Sequence, residues 1–216
     1  MYIVPEKLIS ELISLKTSYS AVEDVFAAMA KKKAYNFPVI RESIGYSNAL
    51  YGFKSGFDKE GLSLGLKAGG YWPENESMGI PNHQSTIFLF DANTGKISAI
   101  VGGNLLTAFR TAAASSISIN HLARQDSKVL GMIGAGYQSA FQMQAAARQR
   151  GFEKIIWTST MCLGRRNQTV GWADDRSPTN SLESRNGGTR SSAHPTRWSN
   201  SGNYSEHVPQ CLSAFA

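Results

Sequence analysis

The chain has 216 residues, 42% of them hydrophobic and 18% charged, with a formal net charge of +6. That length supports one large domain or two small ones with a real core, and it excludes a disulfide-stapled miniprotein. No run approaches the ~18 apolar residues of a membrane span, and the opening MYIVPEKLISELI carries no signal-peptide cleavage pattern, so a cytoplasmic protein without a membrane partner is expected.

Residues 5–16 place Leu8, Ile9, Leu12, Ile13 and Leu15 at helical spacing just after Pro5. A second helix is expected from Ser20, where Ser20-x-x-Glu23 reads as a capping box and Val22, Val25, Phe26 and Met29 form a buried stripe. Lys31 to Lys33 then read as a solvated helix end. Strands are expected at Phe37–Arg41, Ala49–Lys54, Leu62–Ala68, Ser85–Asp91 and Lys96–Val101, the last two joined as a hairpin by the turn sequence Asp91-Ala-Asn-Thr-Gly95. The run Phe88-Leu89-Phe90 suggests a strand covered on both faces. Asn104 is expected to cap a helix over 105–122. An apolar strand at 128–133, a helix from about 138 to 150 and a strand from Lys154 follow, the first βαβ unit of a parallel sheet.

Beyond residue 160 the composition breaks. Residues 1–160 hold all eleven lysines and all fourteen isoleucines, whereas 161–216 hold none of either and six of the eleven arginines. In that last segment 26 of 56 residues are Ser, Thr, Asn, Gly or Pro, with no visible helical or strand period, so it lacks the apolar area to offset its ordering entropy. Cys162 and Cys211 have no histidine at ligand spacing, which gives no metal site or structural disulfide. The charge divides as +4 in the body and +2 in the tail without a basic stripe, so no nucleic-acid partner is expected.

The sharpest chemical signal is VLGMIGAGYQSAFQ. A buried strand ends in Gly134-x-Gly136-x-x-Ser139 and a helix follows at once. Gly134 allows the tight turn, and Gly136, lacking a Cβ, lets a diphosphate approach the helix N-terminus. This context points to dinucleotide binding, against the alternative of a plain glycine-rich turn. The acidic residue ~20 positions on that would read a ribose is missing, so NAD and NADP are not distinguished there. In Leu62-Ser-Leu-Gly-Leu-Lys67, alternation puts Ser63, Gly65 and Lys67 on one face. Lys67 is compatible with a cleft or with a solvated strand, and spacing alone favours the second. Thr107, Arg110, Thr111 and Ala114 share one helical face, where an arginine among small apolar residues requires a carboxylate partner in the protein or on a ligand.

LGLKAGGYWPEN, PNHQSTIFLFDANTG, GGNLLTAFRTAAASS and VLGMIGAGYQSAFQ, in this order and spacing, resemble the ornithine cyclodeaminase/mu-crystallin family over about residues 1–157. The resemblance implies an α/β chain: an α+β substrate-binding and dimerisation domain over 1–124, then the start of a Rossmann dinucleotide-binding domain over 125–160, with 161–216 an anomalous tail. By position, Arg41 and Arg110 correspond to the family's carboxylate-gripping arginines, Lys67 to its active-site lysine, and Gln84 with Ser85 to a segment lining the substrate pocket. Thr111, Gly134, Gly136, Tyr137 and Gln138 fall on cofactor-binding positions. His83 is a second proton-donor candidate, though a lone histidine beside a turn is more often packing.

The implied function is NAD(P)H-dependent reduction, NADH favoured, of a C=N bond in a small imino acid by a cytoplasmic homodimer. The motif set looks most like the branch that reduces the imine of oxaloacetate to aspartate. The alternatives are an ornithine-type cyclodeaminase, whose acidic residue in the Rossmann half is not visible here, and an inactive truncated member. Family members continue after the second Rossmann strand with Trp-Asn and a His-Pro-like turn, whereas Trp157 here precedes Thr-Ser-Thr. One inserted base after a tryptophan codon converts a degenerate Thr-Ser-Thr reading into Asn-Ile-His, so a frameshift near residue 157 is the expected origin of the tail. Sequencing the coding DNA decides it: an intact frame with no homologous continuation in the other frames defeats the idea.

Overall fold

The computed structural model describes residues 1–134, 136–158 and 168–170. The expected out-of-frame tail therefore lies outside the described residues, except for 168–170. The chain opens with a short strand β1 (Tyr2–Val4) and helix α1 (Glu6–Leu12). Helix α2 (Leu15–Ala30) begins five residues earlier than the Ser20 box suggested. The box that forms is Ser14 with Thr17: the Thr17 amide donates to Ser14 Oγ at 3.1 Å and the Ser14 amide donates to Thr17 Oγ1 at 2.9 Å. Ile13 is buried just before it, which anchors the chain where the helix must start. Glu23, freed from capping, accepts from Tyr19 and approaches His121 instead. At the lysine run, Lys32 takes a left-handed φ of 58°, and Lys33 pairs with Glu60 in solvent.

Two short strands, β2 (Ala34–Asn36) and β3 (Ile40–Ser43), replace the single one expected at 37–41. Pro38 between them cannot donate to a ladder. The long antiparallel strands β4 (Leu50–Asp58), β5 (Ser63–Tyr71), β6 (His83–Asp91) and β7 (Ile97–Gly102) follow, with a 3-10 turn at Pro73–Met78 between β5 and β6. They form a seven-stranded sheet of order β1-β7-β6-β5-β4-β2, with β3 also on β4. The β6–β7 hairpin forms as its turn residues indicate: the Asp91 carboxylate accepts from the amides of Asn93 and Thr94 and the Thr94 hydroxyl, which holds it below the usual carboxylate range.

Helix α3 (Asn104–Leu122) lies across the inner face of this sheet. Ile9, Ile13, Ile87, Leu89, Val101, Leu106 and Phe109 close the core between sheet and helices, while Val22, Ala113 and Ile117 pack α2 on α3. Asn104 is not the cap of α3 but its first helical residue. Its side chain turns back to β6, accepting from the Ser85 amide at 2.8 Å. The cap comes from the other end of the sequence: the Glu6 carboxylate accepts from the amides of Asn104 at 3.1 Å and Leu105 at 2.7 Å. The close approach needs Gly102, where a Cβ would stand 2.7 Å from Glu6 Cα.

A second sheet, of order β10-β9-β8, comprises β8 (Val129–Ile133), β9 (Lys154–Thr158) and β10 (Gln168–Val170). Helix α4 (Tyr137–Ala147) connects the parallel pair β8 and β9 and packs on α3 through Phe141 and Phe109, whose rings sit 5.7 Å apart. The strand β10, in a segment where no strand period was visible, pairs antiparallel with β9. A doubly wound sheet places a parallel strand at that position.

Candidate active site

The sheet has two faces, and strand alternation assigns the polar residues between them. On the face turned toward α3, the register sets Arg41 opposite Gly52, Lys54 opposite Lys67, and Gly52 opposite Gly69. Glycines at these inward positions leave the space beside the two lysines free of side chains. Lys67 is half-buried and donates to Thr107 Oγ1 at 3.1 Å, and that hydroxyl in turn donates to the Gly103 carbonyl at 2.7 Å. Arg110, also half-buried, lies one helical turn further along α3. Arg41 and Lys54 are exposed at the mouth.

Among the described residues none of these four cations has an ion-pair partner. The salt bridges there lie elsewhere, at Lys33–Glu60, His121–Glu23, Arg124–Asp126 and Lys128–Glu153. The electrostatic cost is visible in the proton affinities. Burial, then the Arg110 guanidinium and the Lys54 ammonium, lower Lys67 to about 8. Burial, then Arg110 and Arg41, push Lys54 down as well. His83, at the start of β6, is lowered by burial first and by Lys67 second, against a hydrogen bond to Asn104 that raises it. His83 and these cations thus lie close enough to act on one another's proton affinities, with no acidic partner beside them among the described residues.

Arg41, Lys67 and Arg110 are therefore brought together, and Ser85 lies on the same face. Gln84 is not. The next residue along β6 points to the opposite face, where Gln84 lines a groove of ≈ 500 Å³ with Tyr51, Phe53, Trp72, Phe88 and Phe90. Its amide donates to the Pro81 carbonyl at 2.8 Å. Phe88 and Phe90 thus face this groove and are only half-buried, while Leu89 enters the core. Lys54 is the site residue that sequence reading passed over, although Gly52-Phe-Lys54-Ser-Gly56 repeats the pattern Gly65-Leu-Lys67-Ala-Gly69.

The glycine turn stands nearby, at the start of α4 beside α3. Gly134 adopts a φ of +103°, which L residues rarely take, and open space lies where Gly136 would carry a Cβ. The first amides of α4 have no partner within the helix by its geometry. Gln138 Oε1 is buried without a hydrogen-bond partner among the described residues. An open cradle at a helix start, with an orphaned acceptor beside it, fits a dinucleotide: diphosphate against Gly134–Gly136 and a ribose or amide donor for Gln138. Thr111 spends its hydroxyl on the Thr107 carbonyl at 2.6 Å and faces the same side of α3 as Lys67's partner. Tyr137 opens α4, its hydroxyl pushed up by burial and by the neighbouring Glu6.

Comparison with known proteins gives a consistent picture. Residues 6–166 match the Ornithine cyclodeaminase/mu-crystallin family. The chain is 63% identical over 156 residues to the iminosuccinate reductase of Paracoccus denitrificans, covering 72% of this chain and 49% of that protein. The crystal structure of that reductase in complex with NAD+ superposes with a TM-score of 0.70 at 61% identity, over 74% of this chain and 50% of the other. The Thermococcus litoralis Delta(1)-pyrroline-2-carboxylate reductase, in complex with NADH and L-proline, superposes with a TM-score of 0.70 at 31% identity, over 74% and 50%. The chain spans about half the length of the curated relatives it matches.

Proposed function

The chain belongs to the ornithine cyclodeaminase/mu-crystallin family, and from that premise we propose that its cationic hollow binds a small α-imino acid for reduction to an L-amino acid at the expense of NADH. Iminosuccinate, giving aspartate, is the substrate this reading favours, in keeping with the relative that is 63% identical. The observation that carries it is the clustering of Arg41, Lys54 and Lys67 on one sheet face with Arg110 on the helix above it, and no acidic partner among the described residues.

Two guanidinium groups suit a carboxylate because their forked N–H groups meet both oxygens and fix the plane of the acid. Held this way, the imine carbon reacts from one oriented geometry, an effect that can reach roughly 7–11 kcal/mol. The nicotinamide, when bound, supplies a hydride to that carbon. Lys67 supplies the proton for the imine nitrogen, so the C=N bond becomes a C–N single bond bearing one new hydrogen at each end. A lysine lowered to about 8 holds its proton at neutral pH yet releases it readily. Thr107, accepting from Lys67, fixes where that proton points.

In the same reading the domain boundary falls near residue 124, and the aromatic groove on the outer sheet face receives a second copy of the chain. Tyr51 and Phe53, with rings 5.2 Å apart, and Trp72 beside them support such a face. Among the described residues no helix is long and apolar enough to cross a membrane, in keeping with a cytoplasmic location.

The decisive experiment is titration of the purified chain with NADH and with L-aspartate, followed by NADH oxidation in oxaloacetate plus ammonia. Binding of both ligands is expected. Turnover of NADH that depends on both oxaloacetate and ammonia is the readout for the reductase. Ammonia release from ornithine would favour the cyclodeaminase. Failure to bind either ligand overturns the proposal.

A further inference from the structure

The four cations of the hollow are not equivalent. Arg110 is half-buried on α3 and Arg41 stands on β3, each acting on Lys54 from its own side, and the imino-acid reading gives this pair one carboxylate. Lys67 is half-buried and oriented by Thr107, which commits it to the reacting nitrogen. Lys54 has neither role. It stands directly opposite Lys67 across the β4–β5 ladder, flanked by Gly52 and Gly56 as Lys67 is by Gly69 and Gly65. The two G-x-K-x-G segments thus run antiparallel in full register. Directly opposed positions hold their Cβ atoms about 4.5–5.5 Å apart, and like charges there repel. Neither lysine has an ion pair among the described residues to relieve this.

We propose that Lys54 binds the second, distal carboxylate of a four-carbon dicarboxylic imino acid and so selects that acid over its monocarboxylic counterpart. This rests on the imino-acid reading above. A monocarboxylate sets one negative charge against four cations, all of it consumed by the arginine pair, and leaves the Lys54–Lys67 repulsion standing. A dicarboxylate brings a second charge to the one cation left uncommitted. Lys54 is lowered first by burial and then by Arg110 and Arg41, and this second part is the repulsion that such a charge would relieve. Its exposure at the mouth suits the trailing end of a substrate whose reacting end is deeper, beside Lys67.

The test uses L-aspartate and L-alanine, which differ by one carboxylate, with ligand-observed NMR and competition giving affinities for the 216-residue chain. The chain should prefer L-aspartate by about tenfold, the size of one charge-assisted hydrogen bond at a partly exposed site. Lys54→Met should abolish that preference and Lys54→Arg should keep most of it. Lys54 is exposed, so both variants should fold, which far-UV circular dichroism checks, and Lys54→Gln substitutes for any that does not. A preference unchanged in Lys54→Met overturns the assignment while leaving the imino-acid reading in place. If the unmodified chain binds neither amino acid, the imino-acid reading itself falls and the role of Lys54 falls with it.

Discussion

Lys67 reaches from the middle of β5 to Thr107 in the first turns of α3, an ammonium-to-hydroxyl hydrogen bond of 3.1 Å that ties sheet to helix at the candidate reaction centre. Because Thr107 passes its own proton to the Gly103 carbonyl, it can only accept from Lys67. The lysine therefore keeps a donor role in the free protein.

Its titration is the first prediction. Observed through the 13Cε resonance, Lys67 should titrate near 8 instead of its ordinary 10.5, and a bound carboxylate should raise the midpoint. Since its folded value lies below its unfolded one, the unfolded chain holds more protons between about 8 and 10.5. Stability should rise with pH across that window, and Lys67→Met should flatten the rise. A midpoint at 10.5 would place the ammonium in solvent.

Glu6 carries the second. Replacing it with Ala removes the cap from two amides of α3 and should cost ~1–2 kcal/mol, measured by chemical unfolding. Glu6→Gln, which keeps an accepting oxygen but not the charge, should recover part of this. An unchanged midpoint in Glu6→Ala would show that water caps the helix equally well.

Arg150 is the third. It is 8% exposed, and its guanidinium lies within hydrogen-bond distance of five carbonyls: Ile119, Asn120, Ala123, Arg124 and Gln149. It closes the C-terminal end of α3, where cations suit the helix dipole, and ties the following segment to α4. Arg150→Met should destabilise by ~2–4 kcal/mol, since several carbonyls lose their donor at once. Arg150→Lys should rescue little, because a point charge cannot span the same fork. Thermal unfolding of the two variants decides this.

The fourth concerns the outer sheet face. Phe53→Asp and Trp72→Glu should shift the chain from dimer to monomer in light scattering with little change in circular dichroism. A chain monomeric without substitution would remove the proposed role of that face.

Much of this architecture was legible in the sequence. The Asp91–Gly95 turn, the strand at 129–133 and the glycine turn all obey local rules, since each is specified by residues within a few positions of one another, although that strand leaves Val129 and Ile133 exposed where burial was expected. Arg41, Lys67 and Arg110 emerged from a resemblance and from Arg110's conspicuous setting. What escaped depends on distant partners. Ser14 and Ser20 offer comparable caps, and the burial of Ile13 chooses between them. Glu6 caps a helix 98 residues away. Gln84 adjoins Ser85 in sequence, yet the strand's two-residue period sends it to the other side of the sheet. Lys54 became visible only when the ladder register aligned it with Lys67.

Two helices begin near the same place, and Glu6 makes them unlike. Its carboxylate has already neutralised the positive end of α3, whereas the end of α4 behind Gly136 carries no acidic side chain in its first turn. The start of α3 is thus discharged, whereas the start of α4, which Glu6 approaches through Tyr137, has no side-chain cap. A residue from the beginning of the chain in this way leaves the start of α4 as the uncapped one of the two.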